Sequence, residues 1–214
     1  MAQRITRLYR LVTFPKIYSG FQTLLGAEEG RDRLFREVIR ATAGMKVLDV
    51  GCGPGSLFPY LPNVNYTGID LNPSSIARAR DLYGNRGRFL VGDVTNRLPD
   101  DMANFDLVIV SALLHHLDDE EARRLFAALS KLIAQHGRIV TIDNVWLPKQ
   151  NVIAKLINSL DSGLNVRAPE QYVDLVADLP LQIVTRTYRD LLRIPYDHFC
   201  MSLTPLGTGT CEAD

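Results

Sequence analysis

Three short groups of residues are equipped for chemistry. The first is Asp49-Val50-Gly51-Cys52-Gly53-Pro54-Gly55-Ser56. Its glycines permit a tight turn and let a ligand approach the backbone closely. The second is Asp70-Leu71, with Asp70 lying 19 residues beyond Gly51. An acid at that distance, ending a neighbouring strand, can accept hydrogen bonds from both hydroxyls of a ribose. The third is Gly92-Asp93-Val94, where the acid can accept from an adenine amine and the apolar neighbour can pack on the base. A glycine loop alone is what any strand-to-helix turn shows. Three groups in register point to a nucleoside-containing ligand. Beyond them lies Ser111-Ala112-Leu113-Leu114-His115-His116, whose imidazoles can move a proton near neutral pH.

These groups need strands to hold them in one row. Lys46–Val50 is a short apolar run ending in glycines and reads as a buried strand. Tyr66–Asp70, Arg88–Gly92, Phe105–Ser111 and Arg138–Asp143 read as four more. The run 105–111 is apolar almost throughout, as expected of a strand covered on both faces. Asn72-Pro73 supplies a cap and a first-turn proline, and Gly84 a stop, so a helix is predicted over 73–83. Residues 118–134 carry Ala122, Leu125, Phe126, Leu129, Leu132 and Ile133 on one stripe, with acids at the positive end of the helix dipole. Weaker helical patterns cover 31–43, 56–61, 151–160 and 169–177. Residues 183–187 and 194–203 close the chain as two strands with too few residues between them for a crossover helix. They should pair antiparallel at one edge. Alternating strands and helices imply a three-layer α/β fold, a mostly parallel sheet with helices on both faces. Ligands of such sheets bind beyond the carboxyl ends of the strands, where the three groups fall.

The resemblance these motifs carry is to class I S-adenosylmethionine-dependent methyltransferases. The segment from Val47 to Gly55 resembles the first family motif, Gly68-Ile69-Asp70-Leu71 the second, and Gly92-Asp93-Val94 the third. Phe105-Asp106-Leu107-Val108 with Leu114-His115-His116-Leu117 resembles the fourth. The likeness covers about residues 45–143, and the closing strands fit the seven-stranded Rossmann-like sheet of the family. It implies S-adenosylmethionine as cofactor, with Gly51, Cys52, Gly53 and Gly55 along its methionine part. It also implies Asp49 near the ammonium, Asp70 and Leu71 at the ribose, Asp93 and Val94 at the adenine, and Ser111 or Ala112 near the amino acid. A nicotinamide dehydrogenase is the rival. Its loop is G-x-G-x-x-G, whereas this one is G-x-G-x-G, with little helix dipole for a pyrophosphate.

Methyl transfer from a sulfonium is an in-line displacement with a neutral thioether leaving. The protein must align the reactants and exclude water. A base helps only where the nucleophile starts protonated. His115 and His116 are the candidates, with His116 favoured because it begins the turn into the acidic cap; packing at the strand end is the alternative for both. His198 alternates with Tyr196 in Pro195-Tyr196-Asp197-His198 and is either a substrate-facing or a packing residue. Tyr9, Tyr18 and Phe21 lie in the N-terminal segment, where many family members place a lid; one of them, with Tyr18 the choice, can cover the sulfonium. Asp143-Asn144 resembles the metal-binding pair of catechol-type O-methyltransferases. The acidic ligand those enzymes carry after the fourth strand is replaced here by Ser111-Ala112, so no metal is expected. Asp143 and Asn144 are instead expected to border the substrate pocket or to cap a helix at Leu147-Pro148.

The bulk properties narrow the substrate. A chain of 214 residues suits one domain, organised as a helical cap (1–44), a cofactor-binding half (45–143) and substrate-side helices with closing strands (144–214). Hydrophobic content of 46% and charged content of 22% are those of a globular protein. The formal net charge is zero, which argues against a nucleic-acid partner held by a broad basic field. Cys52, Cys200 and Cys211 match no metal or disulfide spacing and read as reduced cytoplasmic thiols. No apolar run reaches a membrane span. Arg4, Arg7 and Arg10 beside Ile5, Leu8 and Val12 make a basic amphipathic segment, read as a helix packed on the domain rather than as a membrane anchor. The substrate-facing parts are short, apolar and contain tyrosines, which suits a small organic molecule methylated on O or N. A macromolecular acceptor is the runner-up, and a cofactor-binding relative without catalysis the third reading. The oligomeric state is left open.

Overall fold

The structure, a computed structural model, describes residues 27–96, 98, 99, 101–160, 164–189, 191 and 195–207. Tyr9, Tyr18, Phe21, the basic segment and Cys211 lie outside the described residues.

Seven strands form one sheet in the order β3-β2-β1-β4-β5-β7-β6. They are β1 (Lys46–Val50), β2 (Asn65–Asp70), β3 (Arg88–Val91), β4 (Phe105–Ser111), β5 (Ile133–Asn144), β6 (Leu181–Tyr188) and β7 (His198–Pro205). β1 sits between β2 and β4 and is parallel to both. β7 is antiparallel to β5 on one side and to β6 on the other. The helices are α1 (Ala27–Leu34), α2 (Pro73–Tyr83), α3 (Asp119–Leu132), α4 (Val152–Leu160) and α5 (Pro169–Asp174). The expected three-layer fold with an antiparallel last strand is therefore present.

β4 shows why the sheet must be covered on both faces. Its alternating side chains go opposite ways. Leu107 and Ile109 pack with Val38, Ile39, Ile76 and Ala79, on the side of α2 and the turn after α1. Val108 and Val110 pack with Ala122, Leu125, Phe126 and Leu129 of α3 and with Tyr172 of α5. The cap signals act as the sequence predicts. Asn72 accepts from the backbone of Ser74 at 2.9 Å and starts α2. Asp118 and Glu121 form a reciprocal box at the start of α3, with bonds of 2.8 and 3.1 Å.

Several boundaries differ from expectation. α3 stops at Leu132, and β5 begins at Ile133, five residues before the expected Arg138. Phe105 pairs with Ile133 and Leu107 with Arg138, so the ladder is irregular there. Gly137 fits that irregularity, since a Cβ on it would lie 2.4 Å from the Phe105 carbonyl oxygen. The third strand ends at Val91, one residue before Gly92. The weak helix expected over 56–61 is a 3-10 turn, Phe58–Tyr60. The pattern at 31–43 resolves into α1 and a π-helical turn, Phe35–Ile39, closed by Arg40 in the left-handed region. β7 starts at His198, not at 194, because its ladders to Asn144 and Tyr188 begin there. β7 lies between β5 and β6, which leaves β6 at the edge. No helix among the described residues is long and apolar enough to cross a membrane.

Candidate active site

The site is built at the carboxyl ends of β1, β2, β3 and β4. After β1 the chain turns through Gly51, Gly53 and Gly55, all at positive φ, a region costly for other residues. The turn hangs on β2: the Gly51 and Cys52 N–H groups both donate to the Ile69 carbonyl, at 2.8 and 3.2 Å. Gly51 also lies against the Leu113 side chain, which would be 3.2 Å from a Cβ there.

Asp70 clamps the loop. Its Oδ2 accepts from the Gly53 N–H at 2.8 Å and its Oδ1 from the Asn72 N–H at 2.7 Å. Each carboxylate oxygen has a second acceptor site, and those sites suit a ribose diol. Leu71 beside it is 63% exposed, an apolar side chain with no cover among the described residues. Asp93 accepts from the Thr95 N–H and hydroxyl through Oδ1, at 2.8 and 2.7 Å. Val94 is buried and packs in the core with Ile69, so it offers little surface to an adenine, and Leu71 is the apolar side chain available at this end.

Asp49, in β1, is 1% exposed. The Tyr66 hydroxyl donates to its Oδ2 at 2.7 Å. Burial pushes its carboxyl up to about 7; the Tyr66 hydrogen bond opposes this and the Asp70 charge adds to it. A buried carboxylate at the root of the glycine loop suits a cationic amine. Cys52 is buried with its thiol against Gly68, whose added Cβ would lie 2.7 Å from the sulfur. Burial and the Asp49 charge raise the thiol well above its ordinary value, so it stays protonated and unreactive. The cofactor contact expected of Cys52 is left to its backbone.

Past β4, Ser111 is half-buried and Ala112 adopts a φ of +52°. The Ala112 N–H is tied to the Ile142 carbonyl at 2.8 Å, which holds this strained turn against β5. The two histidines then part. His115 is 5% exposed, and its Nδ1 lies 2.8 Å from Asp143 Oδ1 at the end of β5. Its N–H reaches the same oxygen at 3.3 Å. Burial raises the Asp143 carboxyl, and the His115 hydrogen bond and charge oppose that rise. His116, the candidate favoured from sequence, is exposed, with its ring 4.1 Å from that of His115. Of the two, His115 is the one oriented by a carboxylate, 28 residues away in sequence.

Arg167 had no sequence signal, yet it fastens this turn. Its buried guanidinium donates to the carbonyls of Leu114, Leu117 and Asn165, at 2.8, 2.7 and 3.1 Å, and to Asp119 at 2.9 Å. Asp143 and Asn144 do not cap a helix at 147–148. Asp143 holds His115, the Asn144 amide donates to Asn158 at 3.4 Å, and the Asn144 carbonyl accepts from the Tyr172 hydroxyl at 2.8 Å. His198 and Tyr196 do not alternate along a strand; their rings meet edge-on at 5.0 Å, with His198 as the first residue of β7.

A glycine turn braced by Asp70, with acids at the ends of β1, β2 and β3, is the arrangement implied by the resemblance to class I S-adenosylmethionine-dependent methyltransferases. Residues 47–137 match the methyltransferase domain family Methyltransf_25. An uncharacterised methyltransferase of Bacillus licheniformis is 27% identical over 146 residues, 63% of this chain and 68% of that protein. A malonyl-[acyl-carrier protein] O-methyltransferase of Paenibacillus is 24% identical over 219 residues, 92% of this chain and 78% of that protein. The chain spans 55% and 56% of the length of two further Bacillus methyltransferases. Among solved structures, the complex of DhpI with S-adenosylhomocysteine (SAH) has the same fold. Its TM-score is 0.63 at 17% identity, covering 94% of this chain and 91% of that one.

Proposed function

We propose that this protein methylates an oxygen or nitrogen atom of a small organic molecule, and that His115 accepts the proton the acceptor gives up. S-adenosylmethionine, when bound, supplies an electrophilic sulfonium methyl. The chain's own residues divide the remaining work. The loop Gly51–Gly55 and the Asp49, Asp70 and Asp93 carboxylates hold the donor, with Leu71 against its nucleoside end. Ala112 and Leu113 form the floor beside β4. The observation that carries the reading is the buried His115–Asp143 pair. Asp143 favours the tautomer protonated on Nδ1, whose basic atom is Nε2. Such a base is useful to a hydroxyl or an ammonium and useless to an acceptor already deprotonated.

The zero net charge supports a small molecule over a nucleic acid. The free buried thiols of Cys52 and Cys200 support a cytoplasmic location. A second reading has the Paenibacillus relative in its favour: methylation of a carboxyl group carried on a protein. A carboxylate is already a nucleophile and needs no base. The two readings separate in one experiment. SAH formation is followed over a library of small hydroxylated and amino compounds with wild type and His115→Gln. The expected loss of kcat is about 100-fold or more, with SAH affinity unchanged. A kcat retained within about threefold would remove His115 from the chemistry, and turnover of a carboxylated acyl-carrier protein with none of the library would favour the carboxyl acceptor.

A further inference from the structure

The junction of β5, α4 and β7 holds buried polar atoms with no partner among the described residues. Gln150 is 6% exposed. Its Nε2 donates to the Val145 carbonyl at 2.9 Å and to Asp197 Oδ2 at 2.7 Å. Two acceptors on one side fix which end of the amide is nitrogen. Its Oε1 is therefore an acceptor, and it is buried with no donor. His198 stands opposite Asn144 in the β5–β7 ladder, and its Nδ1 is likewise buried and unpartnered. Burial pushes the His198 imidazole down to about 4, so the ring is neutral at physiological pH. Gln150 is tied to the start of β7, since it bonds Asp197, the residue before His198. Asn158 of α4 donates to the same Val145 carbonyl at 2.9 Å and pins the helix over it.

A buried acceptor left without a donor costs about 1–3 kcal/mol, and native interiors hold few of them. Two at this junction, with His198 paired to Asn144, the neighbour of Asp143, in the β5–β7 ladder, point to a hydrogen-bond partner that the described residues do not supply. The charge of the junction narrows that partner. Asp197 brings a carboxyl group, His198 is neutral, and Arg167 is already committed to three carbonyls and Asp119. Among the described residues, no cation hydrogen-bonds into the junction.

We propose that Gln150 Oε1 and His198 Nδ1 form the subsite that recognises the methyl acceptor, binding a neutral hydrogen-bond donor such as an amide or a second hydroxyl and discriminating against a carboxylate. This rests on the small-molecule reading above and names the kind of molecule. Gln150 Oε1 accepts from the ligand, and His198 Nδ1 donates or accepts according to tautomer. A carboxylate offers no donor to Gln150 Oε1.

The test uses two probes of one shape, 4-hydroxyphenylacetamide and 4-hydroxyphenylacetate, titrated calorimetrically into SAH-loaded full-length protein. The amide should bind at least about tenfold tighter. His198→Phe and Gln150→Met should each abolish that preference while leaving SAH affinity unchanged. His198→Phe also removes the ring's hydrogen bond to the Tyr196 backbone, so the loss of the amide preference at unchanged SAH affinity, and not Tm, separates recognition from packing. Equal affinity for the probes, including no measurable binding of either, overturns the proposal. So does a preference that persists in both variants. The His115→Gln kcat reports separately on the proton-acceptor reading and can stand when this proposal falls.

Discussion

Replacing Asp49 with asparagine should move stability and cofactor affinity in opposite directions. Asp49 is wholly buried and its carboxyl is pushed from 3.8 to about 7, chiefly by burial. That rise of about 3 units corresponds to about 4 kcal/mol, at about 1.36 kcal/mol per unit. Between about pH 4 and pH 7 the native protein holds this proton and the unfolded chain has lost it. Stability therefore falls as pH rises through that window, and the full penalty is present above pH 7. Asparagine cannot ionise and escapes the penalty, but it weakens the hydrogen bond from Tyr66 by about 1–2 kcal/mol. The expected net gain at pH 8 is about 2 kcal/mol, or roughly 4–8 °C in Tm for a domain of this size. At pH 5 the gain should vanish. Cofactor binding should run the other way. An ammonium needs the carboxylate, so wild-type affinity for SAH should drop below pH 7, by up to about tenfold per pH unit. The variant should bind more than about tenfold more weakly at pH 8, with a flat pH profile. Thermal melts at pH 5 and 8 with calorimetry at pH 6 and 8 measure all of this. A variant less stable than wild type at pH 8, or one with unchanged SAH affinity, would refute the reasoning.

Asp70→Ala should weaken SAH binding by more than about tenfold. It should also raise proteolysis within the loop, because the Gly53 and Asn72 N–H groups lose their acceptor; equal affinity would remove Asp70 from the ribose. Arg167→Met should cost about 2–4 kcal/mol in urea unfolding, since three carbonyls lose a buried donor. Its kcat should fall while SAH affinity holds, as the His115 turn loosens; a variant as stable as wild type would show that the network contributes nothing.

Much of the fold was legible along the chain because its signals are local. The apolar run of β4, the Asn72-Pro73 start of α2 and the Asp118–Glu121 box each act within a few residues of themselves. The glycine loop and the acids at 49, 70 and 93 were legible for a related reason. A parallel sheet brings the carboxyl ends of its strands to one side, so once the strands are placed the acids must gather. Pairing through space had no such signature. That Asp143 chooses His115 over His116 depends on β5 lying beside β4. The burial of Val94 and the exposure of Leu71 depend on which side of each strand end the core occupies. Arg167 comes from a stretch without periodicity and finds its carbonyls only after the chain has folded back over the His115 turn. The insertion of β7 between β5 and β6 is of the same kind, since sequence order is silent on which edge a returning strand takes. Sequence thus determined the donor side of the site, where spacing along strands suffices. Tertiary structure decided the His115–Asp143 pair and the Arg167 network, where residues far apart in the chain are brought into contact.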